Sequence, residues 1–237
     1  MEIKIATWNM AYWQHKAYLE DAWQYFVNEI DADFFLFQEA RPSKEIQNDK
    51  SHFIWNEIGG TRPWGSGVYS KKYKLSEEVI NTHLKGTFTV ANAEIDNIKL
   101  TLISLYGLMT DTYSITNLHR ILSDLTLLFD GKVGGKRNVI LGGDLNASTQ
   151  FDSIQNKSHE IFFNRLEDFN LQNAYKLSGN KSHVQTLRFA GSNIPWQNDY
   201  FFISKPIAKG FKSYNIIDDD SVRIYSDHNI LVITLDL

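Results

Sequence analysis

The chain has 237 residues, 43% hydrophobic and 22% charged, with a formal net charge of −4. Such a length and composition suit a globular protein with a sizeable core, not a disordered or collagen-like chain. The absence of cysteine excludes disulfides and thiolate metal sites. The acidic total argues against a protein held to nucleic acid mainly by a broad basic surface, yet it admits an enzyme whose bound cation supplies positive charge where phosphate docks.

In chain order, the alternation in IKIATWN predicts a strand over 2–8. Apolar residues at 18, 19, 22, 23, 26 and 27 predict a helix over 15–29. The apolar run 34–37 predicts a buried strand ending in Gln38-Glu39, and RPSKEIQNDKSHF reads as loop. Strands are expected over 66–72 and 87–95, with a turn at Asp96-Asn97 and a further strand through IKLTLISLYG. An amphipathic helix over 117–129 is followed by DGKVGG as loop and a buried strand over 139–142. A third helix is expected over 159–171, then strands over 197–204 and 229–237, with VRIYSDH leading into the last. The acidic run 218–220 reads as a solvated turn.

No repeat, linker or low-complexity tract interrupts this order, so one domain over 1–237 is expected. Many strands and about three helices fit helices covering β-sheets, with a sandwich of two sheets as one solution. Apolar runs stay short of about 18 residues, so no transmembrane helix is expected. The opening MEIKIATWN lacks the basic-then-apolar layout of a signal peptide. A cytoplasmic protein is the expectation.

Six polar clusters recur at strand ends, where side chains leave a core for a cleft. They are Asn9 in TWN, Glu39 in FLFQEA, Tyr106 in ISLYG, Asp144 and Asn146 in LGGDLN, Asp199 in NDYFF, and Asp227 and His228 in SDHN. On an extended chain Asp144 and Asn146 share a face, and Gly142 and Gly143 leave room for a turn or a close approach. An Asx turn capping the strand is the alternative reading of the same residues. Glu39 is either a surface strand end or a carboxylate for a hard cation such as Mg²⁺, which prefers oxygen donors. Adjacent positions on a strand face opposite ways, so Asp227 and His228 are expected to do different jobs. A catalytic histidine commonly needs an orienting carboxylate, and Asp199 is the candidate.

Taken in order along the chain, TWN, QE, SLY, GDLN, NDY and SDH resemble the endonuclease/exonuclease/phosphatase superfamily, over residues 5 to about 235. The resemblance implies a four-layered α/β sandwich, with two packed, mainly antiparallel sheets flanked by helices. It implies a Mg²⁺-dependent phosphodiesterase, with Mn²⁺ as a substitute. Glu39 would be the principal metal ligand, with Asn9 near the metal and Asp227 in its shell or at a second metal. Asp144 would activate the attacking water, and Asn146 would position water or phosphate. His228, oriented by Asp199, would contact the scissile phosphate, and Tyr106 would lie near the leaving oxygen. Trp196, three residues before Asp199 as in some apurinic endonucleases, is either a packing residue or a substrate-binding one. Where apurinic endonucleases carry Asp, this chain has Ala11, and GLMTD follows Tyr106 in place of their Pro-Asn segment. The expected substrate is DNA or RNA, with aromatic loops such as RPWGSG and NIPWQN available to stack on bases. The alternative is a small phosphoester: a lipid headgroup, a nucleotide or an inositol phosphate.

Overall fold

A computed structural model describes residues 1–110, 113–129, 136–153 and 156–237. The expected DGKVGG loop at 130–135 lies outside the described residues. Strands β1 (Glu2–Asn9) and β2 (Phe34–Ala40) are joined by a broken helical stretch. That stretch comprises α1 (Tyr12–His15), a 3₁₀ turn (Lys16–Tyr18), α2 (Leu19–Gln24) and a wider π turn (Tyr25–Glu29). Next come β3 (Phe53–Gly59), β4 (Arg62–Ser70), β5 (Ser76–Glu77), β6 (Phe88–Ile95) and β7 (Ile98–Leu105). Helices α3 (Ile115–Asp124) and α4 (Thr126–Phe129) precede β8 (Asn138–Asp144). The remainder is α5 (Ser158–Asp168), β9 (Leu171–Asn173), α6 (Ala174–Leu177), β10 (Asp199–Ser204), α7 (Lys205–Ala208), β11 (Phe211–Ile217), α8 (Asp220–Tyr225) and β12 (Ile230–Asp236).

The strands form two six-stranded sheets, ordered β11-β12-β1-β2-β4-β3 and β5-β6-β7-β8-β10-β9. Each holds one parallel pair, β1 with β2 and β7 with β8; the other pairs are antiparallel. The apolar residues divide into three layers. Phe34 and Leu36 of β2 face the middle layer with Ile3, Ile5, Leu102, Ile140 and Phe201. Phe35 and Phe37 face outward, against Trp23 and Phe26 of the helical stretch. Val139 and Leu141 of β8 face the other outer layer, with Leu118, Ile121, Phe162 and Leu166 of α3 and α5. This explains why 34–37 is a continuous apolar run: a strand covered on both faces has no polar side. Burying each such side chain stabilises by about 1.5–3 kcal/mol. The expected four-layered sandwich is the observed fold.

Parallel pairing also places the site. Because β1 and β2, like β7 and β8, run the same way, Asn9, Glu39, Tyr106 and Asp144 arrive at one end of the sandwich. The antiparallel neighbours begin there: Asp199 opens β10 opposite Asp144, and His228 lies just before β12.

Several sequence expectations need correction. β3 and β11 are strands where loop was expected or nothing was assigned; both are sheet-edge strands whose residues are half-buried or exposed. VRIYSDH leads into the last strand partly as a helix that was not assigned, since α8 covers Asp220–Tyr225. Within the acidic run, Asp219 caps α8, accepting from the Val222 N–H at 3.0 Å, and takes the Tyr25 hydroxyl at 2.9 Å. The expected helix over 117–129 is two helices that meet at Leu125.

Candidate active site

Glu39 lies at the end of β2, where pairing with β4 slips between Phe37 and Ala40. Its backbone adopts φ 45°, in the left-handed region, and it is 7% exposed. Beneath it a polar bridge crosses the middle layer. Gln38 donates to Thr7 Oγ1 at 3.1 Å and to Ser104 Oγ at 2.9 Å, and Ser104 donates to the Phe37 carbonyl at 2.8 Å. The bridge ties the two sheets together next to the residue that turns out of the strand.

Asp144 is fully buried and heavily bonded. Its Oδ2 accepts from Asn9 Nδ2 at 2.8 Å and Asn146 Nδ2 at 2.9 Å; its Oδ1 accepts from the Asn146 N–H at 2.8 Å. The last bond makes an Asx turn, with Asn146 at φ 46°. The turn and the site are therefore one object, and the two residues meet through that turn instead of through strand alternation. The glycines before Asp144 serve the protein's own packing. A Cβ on Gly142 would meet the Phe201 and Leu36 side chains, and one on Gly143, at φ 152°, would strike the Leu105 carbonyl.

His228 is 5% exposed and held from several sides. Its Nδ1 is 2.9 Å from Asp199 Oδ2 and its carbonyl accepts from the Trp8 indole at 3.1 Å. Its N–H donates to Ser226 Oγ at 3.0 Å, and that hydroxyl donates to the Asn9 carbonyl at 2.7 Å. With Nδ1 engaged, Nε2 faces Asp144 Oδ2 and Asp227 Oδ1, each at 3.9 Å. Asp227 and His228 thus face one cleft, contrary to the expectation from strand alternation, because the chain bends at Asp227 and β12 starts only at Ile230.

Charge explains the titration pattern. Burial pushes the Glu39 carboxyl up, against the lowering effect of the Tyr106 hydroxyl, His228 and Asn9. Burial also raises Asp144, helped by Asp199 and Glu39 and opposed by His228. For His228, burial favours the neutral ring, but Asp199, Asp144 and Asp227 outweigh it and hold the imidazole well above its ordinary value. Burial, with Glu39 and Asp144 beside it, pushes the Tyr106 phenol well up, so it stays protonated.

Four carboxylates and one imidazole share this cleft. Among the described residues, His228 is the sole ion-pair partner of Asp144, Asp199 and Asp227, and Glu39 has none. Oxygen donors in excess of positive charge, with no thiolate, fit a hard divalent cation. Asp144, Asp199 and His228 bring donor atoms within 4.8 Å of one another. Asp199 and His228 are already bonded to each other, so Glu39, with Asp227 and Asn9 nearby, is the freer donor set.

Sequence reading passed over Ser226, Gln38 and Thr186, the last accepting the Asp199 N–H at 3.0 Å. Ser226 and Gln38 flank the quoted positions, whereas Thr186 carries no signal in its polar surroundings. Trp196 is half-buried, with one ring face stacked on Phe151 at 4.8 Å and 25°.

A sequence model of the Endonuclease/Exonuclease/phosphatase family matches residues 6–228. Compared by sequence with curated proteins, the chain matches none. Among solved structures, the endonuclease/exonuclease/phosphatase from Bacteroides vulgatus superposes with TM-score 0.73 at 17% identity, covering 100% of this chain and 99% of that one. AP endonuclease LMAP from Leishmania major gives 0.72 at 15%, covering 100% and 88%. The endonuclease domain of TRAS1, a telomere-specific non-LTR retrotransposon, gives 0.68 at 19%, covering 100% and 99%. These likenesses agree on the two-sheet sandwich, and the family match runs from the strand carrying Asn9 to His228: the chain belongs to the endonuclease/exonuclease/phosphatase family of phosphoester hydrolases.

Proposed function

We propose that the protein is a Mg²⁺-dependent phosphodiesterase, with Mn²⁺ as a substitute, acting on DNA or RNA. The observation that carries the reading is the pinned imidazole. His228 gives Nδ1 to Asp199 and turns Nε2 toward Asp144 and Asp227, beside a buried Glu39 that has no ion-pair partner among the described residues. A divalent cation on Glu39, with Asp227 and Asn9 near it, would keep the buried carboxyls ionised and offset charge building on the phosphate.

The residues supply the remaining steps. Asp144, held by Asn9 and Asn146, takes a proton from the attacking water. His228, kept protonated by its carboxylate neighbours, directs Nε2–H at a non-bridging phosphate oxygen, where the developing negative charge is stabilised. Tyr106 keeps its proton and donates toward the departing oxygen. Asn146 acts chiefly through Asp144, because its amide hydrogens already reach Asp144 Oδ2 and the Gly107 carbonyl.

Nucleic acid as substrate is supported by Trp196, half-buried three residues before Asp199 and stacked on Phe151, an aromatic surface of the kind that bases stack on. Two structural neighbours, the endonuclease domain of a telomere-specific retrotransposon and an AP endonuclease, point the same way. The test incubates the protein with plasmid DNA, single-stranded DNA, RNA and bis-p-nitrophenyl phosphate, with Mg²⁺, Mn²⁺ or chelator. Metal-dependent cutting of a nucleic acid is expected. Cleavage confined to small esters would replace the nuclease reading with the small-phosphoester one, and no hydrolysis of any ester would overturn both.

A further inference from the structure

Thr186 is fully buried in an irregular segment that ends at the site. Its hydroxyl accepts two consecutive backbone donors, the Asn198 N–H at 2.9 Å and the Asp199 N–H at 3.0 Å. Its own N–H donates to the Trp196 carbonyl at 2.8 Å, and its carbonyl accepts from the Asn229 N–H at 2.7 Å. One residue therefore ties the start of β10 to the lead-in of β12. Those two segments carry Asp199 and His228.

Asn198, 3% exposed, extends the tie to the third segment. Its carbonyl accepts from the Leu145 N–H at 2.8 Å, and its Nδ2 donates to Asn146 Oδ1 at 3.3 Å. The Asn146 amide faces two acceptors, the Gly107 carbonyl at 3.2 Å and Asp144 Oδ2 at 2.9 Å. Its nitrogen must point there, which leaves its oxygen for a donor, and Asn198 supplies one.

We propose that Thr186 and Asn198 are positioning residues of the hydrolytic site: together they seat the Asn198–Asp199 peptide so that Asn198 aligns Asn146 on Asp144 while Asp199 aligns His228. The assignment rests on the hydrolase reading above for its effect on rate. Its geometric part stands apart from turnover, because it concerns the His228–Asp199 bond itself.

The experiment compares wild type with Thr186→Val, which keeps shape and removes the acceptor, with Thr186→Ser, which restores it, and with Asn198→Ala. Two readouts are taken on folded protein, identified by a cooperative melt. One is kcat and KM for Mg²⁺-dependent cleavage of duplex DNA and bis-p-nitrophenyl phosphate. The other is the proton NMR resonance of the His228 Nδ1–H in the metal-free protein. Thr186→Val should lower kcat by on the order of 10-fold to 10²-fold, the scale expected when a catalytic group is misplaced, with KM little changed. It should also shift or broaden the imidazole resonance. Thr186→Ser should recover most of both, and Asn198→Ala should lower kcat alone. Wild-type values in both folded variants would overturn the proposal, as would failure of Thr186→Ser to recover what Thr186→Val loses. If Thr186→Val does not fold, Asn198→Ala decides on kcat. If wild type cleaves no small ester and no nucleic acid, single-stranded DNA and RNA included, the hydrolase reading fails and the NMR comparison alone judges the positioning.

Discussion

Glu39, Asn146 and Ala11 are non-glycine residues with φ near 45°, a conformation that costs about 1–2 kcal/mol each. Each is fixed by its surroundings: Glu39 by the strand slip above Gln38, Asn146 by the Asx turn on Asp144, Ala11 by its N–H bond to Asn9 Oδ1 at 2.9 Å. The ionised carboxyl of Glu39 is costly where it sits. Glu39→Gln should therefore melt no lower than wild type without metal, while its metal-dependent rate falls by on the order of 10²-fold. A large loss of both stability and rate would instead make Glu39 a structural residue. Asp199→Asn should cost a similar factor in kcat, since a carboxamide cannot hold the imidazolium; steady-state kinetics at saturating substrate reads this. These residues were legible because each breaks an apolar run at a strand end. Thr186 was not, since a threonine in a polar loop looks the same whether or not its hydroxyl gathers two backbone donors.

At the scale of elements, strands covered on both faces were the easiest to read. In 34–37 and 139–142 an unbroken apolar stretch follows from layers on either side. The edge strands β3 and β11 show weaker patterns because each pairs on one side only and its residues are half-buried or exposed on either face. Helix α8 was missed because its six residues bury only Val222. Its stability leans on the Asp219 cap, so Asp219→Ala should cost about 1 kcal/mol, or roughly 2–4 °C in melting temperature for a domain of this size. Gly143 is less tolerant. Alanine there would meet the Leu105 carbonyl and strain a positive φ, and urea unfolding should show a loss of about 1–3 kcal/mol. An unchanged midpoint would mean that β7 and β8 can separate at that point.

Across the whole molecule, two parallel strand pairs bring polar ends from both sheets to one rim, and that rim carries more carboxylates than cations. Glu39, Asp144 and His228 all have folded-state affinities for protons above their unfolded ones. A group raised in this way contributes stability that is full below its unfolded pKa and is lost as pH rises through the folded one. Metal-free protein should thus lose melting temperature as pH rises from about 4, the ordinary carboxyl range, to about 10, where His228 gives up its proton. The increment given by Mg²⁺ should grow over the same window, because binding must displace protons from the carboxyls. A Mg²⁺ increment that shrinks with pH would contradict the assignment of Glu39 as a ligand. The sandwich was readable through the family resemblance that the order of the polar strand ends carries; the bend that turns Asp227 toward His228 was not, because it depends on where β12 begins. The most direct measurement is the initial rate of duplex DNA cleavage against free Mg²⁺, for wild type and Glu39→Gln side by side. A saturating rise for wild type and a flat, near-zero line for the variant are expected; superimposable curves, or a wild-type rate indifferent to Mg²⁺, would contradict a cation-dependent hydrolase centred on Glu39.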